Sequence, residues 1–469
     1  MSDLISRRRF HQGLLGFAAL TAARPELAIA ANGPRQYELV ARKYAKSLTG
    51  PGGNNSELWG YNGQTPGPLL NARVGEEIEV NFRNELDTPT SIHWHGLRIA
   101  NEMDGVSGLT QKAVEPGENF TYRFIPPDSG TYWYHAHNRS WLEVERGLYG
   151  PLIVTEDNPS FADTADILLM LDDWRLDQAG RFDDASLGNM MDWSHNGRLG
   201  NFLTVNGDNR PIIEVPSNTW LRLRLINACN SRILEIDPNR IGARVMAYDG
   251  QSIGAPRKLG YAPLLLGPAQ RADLLVQFDT AGPIALEEMS QSAPYEFATL
   301  NVTDSATGNT SREPALPASA LPEPDLNAAA EFELLMEGGA MGQMGQLIYN
   351  GRVQSRMDFM SNKQVWGFNG VANLADDPFF KVSRGQSVIV NVINRTSFMH
   401  AMHTHGHHFK ILKRNGETDS EQAWRDTFLV GPNGTTQIAF VADNPGKWLF
   451  HCHMLEHAAA GMTTWFDVV

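Results

Sequence analysis

A pattern that occurs three times constrains the fold of this chain more than any other feature. An Asn-Gly pair is followed by a proline and then by a strand of alternating apolar and polar residues that ends in asparagine. The pairs are Asn62-Gly63, Asn206-Gly207 and Asn369-Gly370, the prolines are Pro68, Pro211 and Pro378, and the strands cover residues 77–84, 220–227 and 387–394. Repetition of this kind predicts three related units, and the alternation predicts half-buried β-strands.

The turn signals between these strands predict an all-β fold of three Greek-key β-sandwiches. Pro116-Gly117 and Pro445-Gly446 are examples of such turns. A segment rich in Pro, Ala and Ser before the third unit is typical of a linker. We therefore predict an export signal over residues 1–30, sandwich domains over 31–158, 159–305 and 331–469, and a linker over 306–330.

The first thirty residues are typical of a twin-arginine export signal. Arg7, Arg8 and Arg9 precede a short apolar run, and Ala28-Ile29-Ala30 matches a small-residue cleavage site. The apolar run covers only residues 14–23, whereas a membrane span needs about 20 residues. The sequence thus predicts a periplasmic or secreted protein without a membrane anchor in its mature form.

The charge balance excludes some classes of partner. Lys and Arg together number 39 against 53 Asp and Glu, which gives a net charge of −14. A chain this acidic is a poor ligand for nucleic acid or for an anionic membrane surface. We expect a monomer that acts on small molecules.

Near the end of the chain, His451-Cys452-His453 lies in a strand-like run. Neighbouring side chains of a strand point to opposite faces, so Cys452 is expected to face away from both histidines. With His457 and Met462, Cys452 offers the thiolate, imidazole and thioether ligands of a blue copper site. Zinc also binds Cys and His but would leave Met462 without a role. A buried cysteine beside core histidines is the remaining alternative.

Twelve of the fourteen histidines lie in the first and last units. Four His-x-His pairs each place two imidazoles on one face of a strand: His93 and His95, His135 and His137, His403 and His405, and His451 and His453. Eight imidazoles are enough to hold three copper ions and leave positions open for oxygen. The cluster would lie between the first and third units, and the middle unit, with only His195 in an expected loop, would be a structural spacer.

These four motifs resemble those of the multicopper oxidases, and the three-domain length with the twin-arginine pattern resembles the bacterial branch of laccase-like enzymes and periplasmic cuprous oxidases. The resemblance covers essentially all of the mature chain and implies cupredoxin-like domains with four copper ions. It assigns the type 1 site to His400, Cys452, His457 and Met462, the type 2 copper to His93 and His403, and the type 3 pair to His95, His135, His137, His405, His451 and His453.

The activity that the resemblance implies is the reduction of dioxygen to water by four one-electron oxidations. Electrons would enter at the type 1 site and pass through the backbone of Cys452 to His451 and His453. An axial Met462 implies a low to moderate potential and therefore phenols, aromatic amines or metal ions as donors. Our leading hypothesis is a laccase-like oxidase of phenolic donors, and the alternatives are a cuprous oxidase and a copper-binding scaffold without turnover.

Two positions bear on proton delivery. Asp104 resembles an acid that the family keeps close to the type 2 copper, and we expect it to relay protons. Its alternative is a turn aspartate before Gly105. Ala458 stands where several bacterial relatives have a glutamate that serves dioxygen reduction, which implies another proton route or slower reduction.

A group of methionines bears on the donor. Thioethers bind Cu(I), although methionine is also ordinary core filler. The group consists of Met336, Met341, Met344, Met357 and Met360. The cuprous oxidases carry an aspartate just before the first type 1 histidine, and this chain does not.

Four further residues complete the candidates. Asp426 could accept a phenolic proton near the type 1 site, but a structural salt bridge is the stronger expectation. His407 and His408 are expected beside the ligands or on the surface. Cys229 is expected to be a buried free thiol, because Cys452 would be occupied by metal.

Overall fold

The described part of the chain is built almost entirely of β-strands. A computed structural model describes residues 33–304, 312–341 and 346–469, with 33 strands and four short α-helices among them. The predicted export signal and Met344 lie outside the described residues, as does the side chain of Met360. No helix in the described ranges is long and apolar enough to cross a membrane.

The first repeat contains eight strands and one helix. They are β1 (Arg35–Lys46), β2 (Ser56–Tyr61), β3 (Leu70–Arg73), β4 (Ile78–Asn84), β5 (Ile92–His95), β6 (Asn119–Phe124), β7 (Gly130–Ala136), α1 (Ser140–Glu143) and β8 (Tyr149–Thr155). A short 3-10 turn, Asn101–Met103, follows β5.

The second repeat contains eleven strands and one helix. They are β9 (Asp166–Trp174), α2 (Met190–Ser194), β10 (Phe202–Val205), β11 (Ile212–Pro216), β12 (Trp220–Asn227), β13 (Leu234–Ile236), β14 (Arg244–Tyr248), β15 (Gln251–Arg257), β16 (Leu264–Leu266), β17 (Arg271–Gln277), β18 (Gly282–Glu288) and β19 (Tyr295–Thr303). Three 3-10 turns accompany them: Asp163–Ala165, Asp184–Ser186 and Pro238–Ile241.

The third repeat contains fourteen strands and two helices. They are β20 (Ala330–Gly338), β21 (Ile348–Tyr349), β22 (Arg352–Val353), α3 (Arg356–Asn362), β23 (Trp366–Phe368), β24 (Phe380–Val382), β25 (Ser387–Asn394), β26 (His400–Thr404), β27 (Phe409–Arg414), β28 (Glu417–Thr418), β29 (Trp424–Arg425), β30 (Thr427–Val430), β31 (Thr435–Val441), β32 (Gly446–Cys452), α4 (Leu455–Ala459) and β33 (Thr463–Val468).

All three repeats share one strand topology. Their first strands pair in parallel with the predicted alternating strands, as β1 with β4, β9 with β12 and β20 with β25. Those alternating strands then pair antiparallel with β6, β17 and β31. In the outer repeats a second sheet carries β5 with β7 and β26 with β32, whereas the middle repeat has two smaller sheets, of three and two strands. The predicted cupredoxin-like sandwich fold is confirmed, while the exact domain boundaries stay predictions.

The Asn-Gly pairs explain how the repeat sequence produces the repeat structure. Asn62, Asn206 and Asn369 all have positive φ, as does the glycine after each of them. Two consecutive left-handed residues form the tight turn that Asn-Gly favours. Each asparagine Oδ1 also accepts the backbone N–H of a residue in the first strand of its repeat, over 2.8, 2.9 and 2.7 Å respectively.

The asparagines that end the alternating strands make the same set of hydrogen bonds in all three repeats. Asn84, Asn227 and Asn394 are buried. The amide of each donates to two or more backbone carbonyls of a neighbouring loop, and its Oδ1 accepts the N–H two residues ahead. These side chains satisfy backbone groups at the ends of the alternating strands. In the outer repeats the next strands are β5 and β26, which carry histidines of the four pairs.

Each repeat has a hydrophobic core of its own, and the repeats also share one. Three separate buried clusters fill the three sandwiches. A smaller cluster contains Trp133 of the first repeat, Met170 and Ala228 of the second and Leu455 of the third. Residues Pro34–Val469 accordingly form a single unit. Cys229 is a buried free thiol, as expected.

We expect Asn84→Ala to lower the free energy of unfolding by about 1–3 kcal/mol, because it leaves the carbonyl of Thr88 without its side-chain donor and the N–H of Leu86 without its acceptor. Asn81→Ala, in the same strand, is the matched control, since Asn81 is only half-buried and accepts a single bond from Thr121. Urea unfolding of the copper-loaded proteins measures both. Equal losses in the two variants would contradict this role of Asn84.

Candidate metal centre

Cys452 lies between two histidines at the centre of the third sandwich. Its Sγ is 3.6 Å from His400 Nδ1 and 3.9 Å from His457 Nδ1, and these two nitrogens are 3.1 Å apart. All three side chains are fully buried. Strand β26 supplies His400, the end of β32 supplies Cys452, and helix α4 brings His457 back over them.

The far nitrogen of each of these histidines is already engaged. His400 Nε2 is 2.8 Å from Thr396 Oγ1, and His457 Nε2 donates to the carbonyl of His195 over 2.6 Å. Because an outer hydrogen bond on Nε2 leaves the Nδ1 lone pair free, both imidazoles present an acceptor toward the thiol. Two nitrogens and a sulfur arranged in this way suit copper.

Met462 occupies the same core. It is fully buried, its N–H donates to the carbonyl of His457, and its own carbonyl accepts from the N–H of Cys452, each over 3.0 Å. Two backbone hydrogen bonds therefore hold Met462 close to both His457 and Cys452. Met462 lies in the backbone loop in which an axial ligand is expected.

On the other side of β32, the four His-x-His pairs converge as predicted. His405 Nε2 is 3.1 Å from His451 Nε2, and His453 Nε2 is 3.4 Å from His135 Nε2. Groups of three donor atoms within 4.8 Å of one another include His93, His403 and His405; His93, His95 and His135; and His137, His405 and His451. The cluster combines strands β5 and β7 of the first repeat with β26 and β32 of the third.

Several ring nitrogens in this cluster are buried without a partner. They are Nε2 of His93, Nε2 of His403, Nδ1 of His95 and Nδ1 of His453. The opposite nitrogens of the first two donate to the backbone carbonyls of Asp104 and Asp426, both over 2.8 Å. Buried lone pairs directed at one another are unfavourable unless a cation lies between them. The donor set therefore fits metal ions.

Burial also keeps these imidazoles in the form that binds metal. It lowers the pKa of His137 to about 3, with a further contribution from His93. Burial likewise lowers the pKa of His451 and His453 well below the usual value. Neutral imidazole is the metal-binding form of histidine.

Asp104 lies directly beside the cluster, as expected. Its carboxylate oxygens are 3.3 Å from His93 Nδ1 and 3.0 Å from His405 Nδ1, and the side chain is almost fully buried. It therefore joins a histidine of the first repeat to one of the third. A simple turn aspartate before Gly105 would not make these contacts, and the relay role stays a prediction.

Asp426 lies in the histidine cluster and not beside Cys452, His400 and His457, so its expected location was wrong. Its Oδ1 is 3.2 Å from His95 Nε2, within the histidine cluster. The expected salt bridge is confirmed, because Arg271 Nη1 and Nη2 donate to the carboxylate over 2.8 and 2.5 Å. Although burial acts to raise the pKa of Asp426, Arg271 and His95 lower it by more, to well below its ordinary value.

His407 and His408 were expected either beside the ligands or on the surface, and neither lies on the surface. His407 and His408 are both buried, and His408 Nε2 is 3.6 Å from Asp426 Oδ2. His195 follows α2 in a loop, as expected, and its carbonyl accepts a hydrogen bond from His457 Nε2. Sequence reasoning missed Arg271, whose partner Asp426 is 155 positions away, and no local motif marks it.

A cavity of about 330 Å³ lies along helix α4. Trp141, Trp193 and Ala458 line it together with His137 and His451 of the cluster. The two tryptophan rings pack edge to face, 5.2 Å apart. The cavity thus joins an aromatic wall to two candidate copper ligands.

Comparisons with known proteins agree with this geometry. Family models described as multicopper oxidase match residues 44–159 and 349–469. A multicopper oxidase structure from Pseudomonas thermotolerans is 34% identical, with 93% of this chain and 99% of that chain covered and a TM-score of 0.80. A metallo-oxidase from Campylobacter jejuni is 26% identical, with 92% and 91% covered and a TM-score of 0.76.

A laccase is equally similar in sequence. Laccase-1 of Cryptococcus neoformans is 26% identical over 505 residues, which cover 89% of this chain and 78% of that protein. Together with the two histidine-bearing sandwiches and the buried cysteine between His400 and His457, these matches show what the chain is. It belongs to the multicopper oxidase family.

Proposed function

We propose that this multicopper oxidase is laccase-like and oxidises small phenolic or related aromatic donors while it reduces dioxygen to water. One observation carries the proposal. The thiol of Cys452 faces His400 and His457, while its chain neighbours His451 and His453 belong to the histidine cluster. Electrons that enter at the cysteine therefore reach the cluster through one residue of backbone.

A hydrogen bond provides a second route between the cysteine and the histidine cluster. His451 Nδ1 donates to the carbonyl of Cys452 over 2.8 Å. The covalent route through the backbone and this contact both lead from the thiol to the cluster. Both are rigid because β32 is buried between β26 and β33.

We propose four copper ions, which supply the one-electron redox chemistry when they are bound. The type 1 site would be held by His400, Cys452, His457 and Met462. His93 and His403 would hold the type 2 ion, and the type 3 pair would be held by His95, His135, His137, His405, His451 and His453. The converging nitrogens and their engaged outer atoms support these assignments.

The surroundings of His457 bear on the choice of donor. The imidazole is fully buried and donates to the carbonyl of His195. Trp366 Nε1 donates to the carbonyl of Trp193, in the helix that precedes His195. The ring of Trp366 also packs against the imidazole of His457, with centroids 4.5 Å apart. These aromatic side chains beside the assigned entry site favour a donor with an aromatic ring.

A second candidate donor is Cu(I). Met191, Met341 and Met357 are 59, 80 and 83% exposed, which is unusual for large apolar side chains. The N–H of Ala340 donates to the carbonyl of Ser194, so that the Met341 loop adjoins α2. Thioethers bind Cu(I). Met336, in contrast, is fully buried in the third core.

Steady-state oxygen uptake distinguishes the donors. A methoxyphenol is expected to sustain faster uptake than Cu(I), and the triple variant Met191→Leu, Met341→Leu, Met357→Leu should leave the phenol rate unchanged. Met289→Leu, a half-buried methionine of the second repeat, is the matched control. Faster uptake with Cu(I), together with a roughly tenfold loss in the triple variant alone, would favour the cuprous oxidase. Fully copper-loaded protein without uptake from either donor would indicate a scaffold.

The type 1 assignment predicts an intense blue absorption that Cys452→Ser abolishes, because the colour requires the Cu–thiolate bond. Total copper should fall by one ion per chain while the cluster persists. Visible spectra and metal analysis measure these effects. Cys229→Ser changes the other buried thiol and should stay blue. A blue Cys452→Ser protein would refute the assignment.

We propose that Asp104 relays protons to the cluster, since it contacts His93 and His405. In Asp104→Asn, reoxidation of the reduced protein by dioxygen should slow at least tenfold, with little change in anaerobic reduction of the blue band. Stopped-flow absorbance separates the two half-reactions. If both slow equally, Asp104 has no relay role.

Export by the twin-arginine route, a periplasmic or secreted location and a monomeric state stay predictions from the sequence. The acidic charge and the export pattern of residues 1–30 support them.

A further inference from the structure

Arg271, the first residue of β17, is a fully buried charge at the junction of the three repeats. Its Nη1 and Nη2 donate to the carboxylate of Asp426 in the third repeat over 2.8 and 2.5 Å. Its Nε donates to the carbonyl of Thr131 in the first repeat over 3.1 Å. One guanidinium of the middle repeat thus links both outer repeats.

Asp426 in turn contacts two cluster histidines through different atoms. Its Oδ1 is 3.2 Å from His95 Nε2, and its backbone carbonyl accepts from His403 Nδ1 over 2.8 Å. The two imidazole rings are stacked, with centroids 3.8 Å apart. Since these outer nitrogens are held, His95 Nδ1 and His403 Nε2 are the ones left without a partner.

Asp249, a carboxylate of the middle repeat, holds the backbone of Asp426 and Thr427 in place. Asp249 Oδ1 accepts the N–H of Arg271 over 2.9 Å. Its Oδ2 accepts the N–H groups of Asp426 and Thr427 over 3.3 and 3.4 Å. Both the side chain and the main chain of Asp426 are therefore positioned by the middle repeat.

Arg271 and Asp426 also pack closely against the backbone at Gly96. Gly96 follows His95 directly and has a φ of +87°. A Cβ at this position would overlap both Arg271 and Asp426. The guanidinium and the carboxylate thus lie against the backbone that carries His95, where only glycine fits.

Without Arg271, the buried Asp426 carboxylate would lose its guanidinium partner and keep only its contacts with side chains such as His95 and Thr427. A carboxylate oxygen of Asp426 lies within 4.8 Å of donor nitrogens of His95 and His403, so that these three residues could hold a cation themselves. Pairing with a bidentate guanidinium satisfies the carboxylate. The histidine nitrogens are then left to face the cluster.

We propose that Arg271 is a positioning residue of the middle repeat, which provides none of the assigned copper ligands. Through Asp426 it orients His403 and the neighbouring type 3 ligand His95, and it thereby retains the type 2 copper, to which only His93 and His403 are assigned. This inference rests on the ligand assignment of the proposed function. It gives the middle repeat a role beyond that of the expected structural spacer.

The test uses Arg271→Met, which removes the charge at similar length, and measures copper content and the type 2 electron paramagnetic resonance signal. We expect about one copper ion per chain to be lost, with the type 2 signal, and at least tenfold faster release of copper to a chelator, while the blue absorption persists. That absorption in the wild-type protein reports separately on the proposed function.

Arg222→Met is the matched control. Arg222 is also a fully buried arginine of the middle repeat, paired with Asp273 over 2.6 Å and Glu156 over 3.2 Å. It should keep the full copper content and the wild-type signal. An unchanged type 2 signal and copper content in Arg271→Met, or equal copper loss in both variants, would overturn the proposal.

If Arg271→Met gives no soluble protein, Arg271→Lys decides. Lysine keeps the charge but cannot make the two parallel bonds of the guanidinium. We expect a shifted type 2 signal and faster copper release than in the wild type. A wild-type signal and release rate in this variant would overturn the proposal.

Discussion

The pairing of β26 with β32 is the constraint on which the rest of the site depends. This antiparallel register places Met402 opposite Cys452 and His403 opposite His451. Because side chains alternate along a strand, one register determines which residues face the interior of the third sandwich and which face the first repeat. A shift by one residue would exchange the two sets, and neither group of candidate ligands would come together.

The cost of burying so many polar groups is met by contacts between repeats. His95 reaches Asp426 and His405 reaches Asp104, each across the boundary between the first and third repeats. Buried polar atoms require partners, and here many of the partners belong to another sandwich. The shared apolar cluster around Trp133 and Leu455 packs these surfaces against one another.

Much of this could be predicted from sequence, because the signals were periodic. Alternation along a strand was sufficient to place Cys452 opposite its histidine neighbours, and the Asn-Gly repeat gave the three sandwiches. Three features could not be predicted in the same way: the location of Asp426, the contact of His457 with the carbonyl of His195, and the contribution of Arg271. Each depends on a surface between repeats, and Asp426 contacts His95 across 331 positions of chain. No local pattern encodes which loop meets which surface at that separation.

The two metal centres differ in how far along the chain their parts are spread. His400, Cys452 and His457 lie within 57 positions of one another, all in the third repeat. The histidine cluster instead closes loops of about 300 residues, as the pairs His405–Asp104 and His453–His135 show. Contacts of such high sequence separation require most of the chain to be ordered first. The last repeat alone can therefore bring His400, Cys452 and His457 together, whereas the histidine cluster exists only once the first and last repeats are both folded.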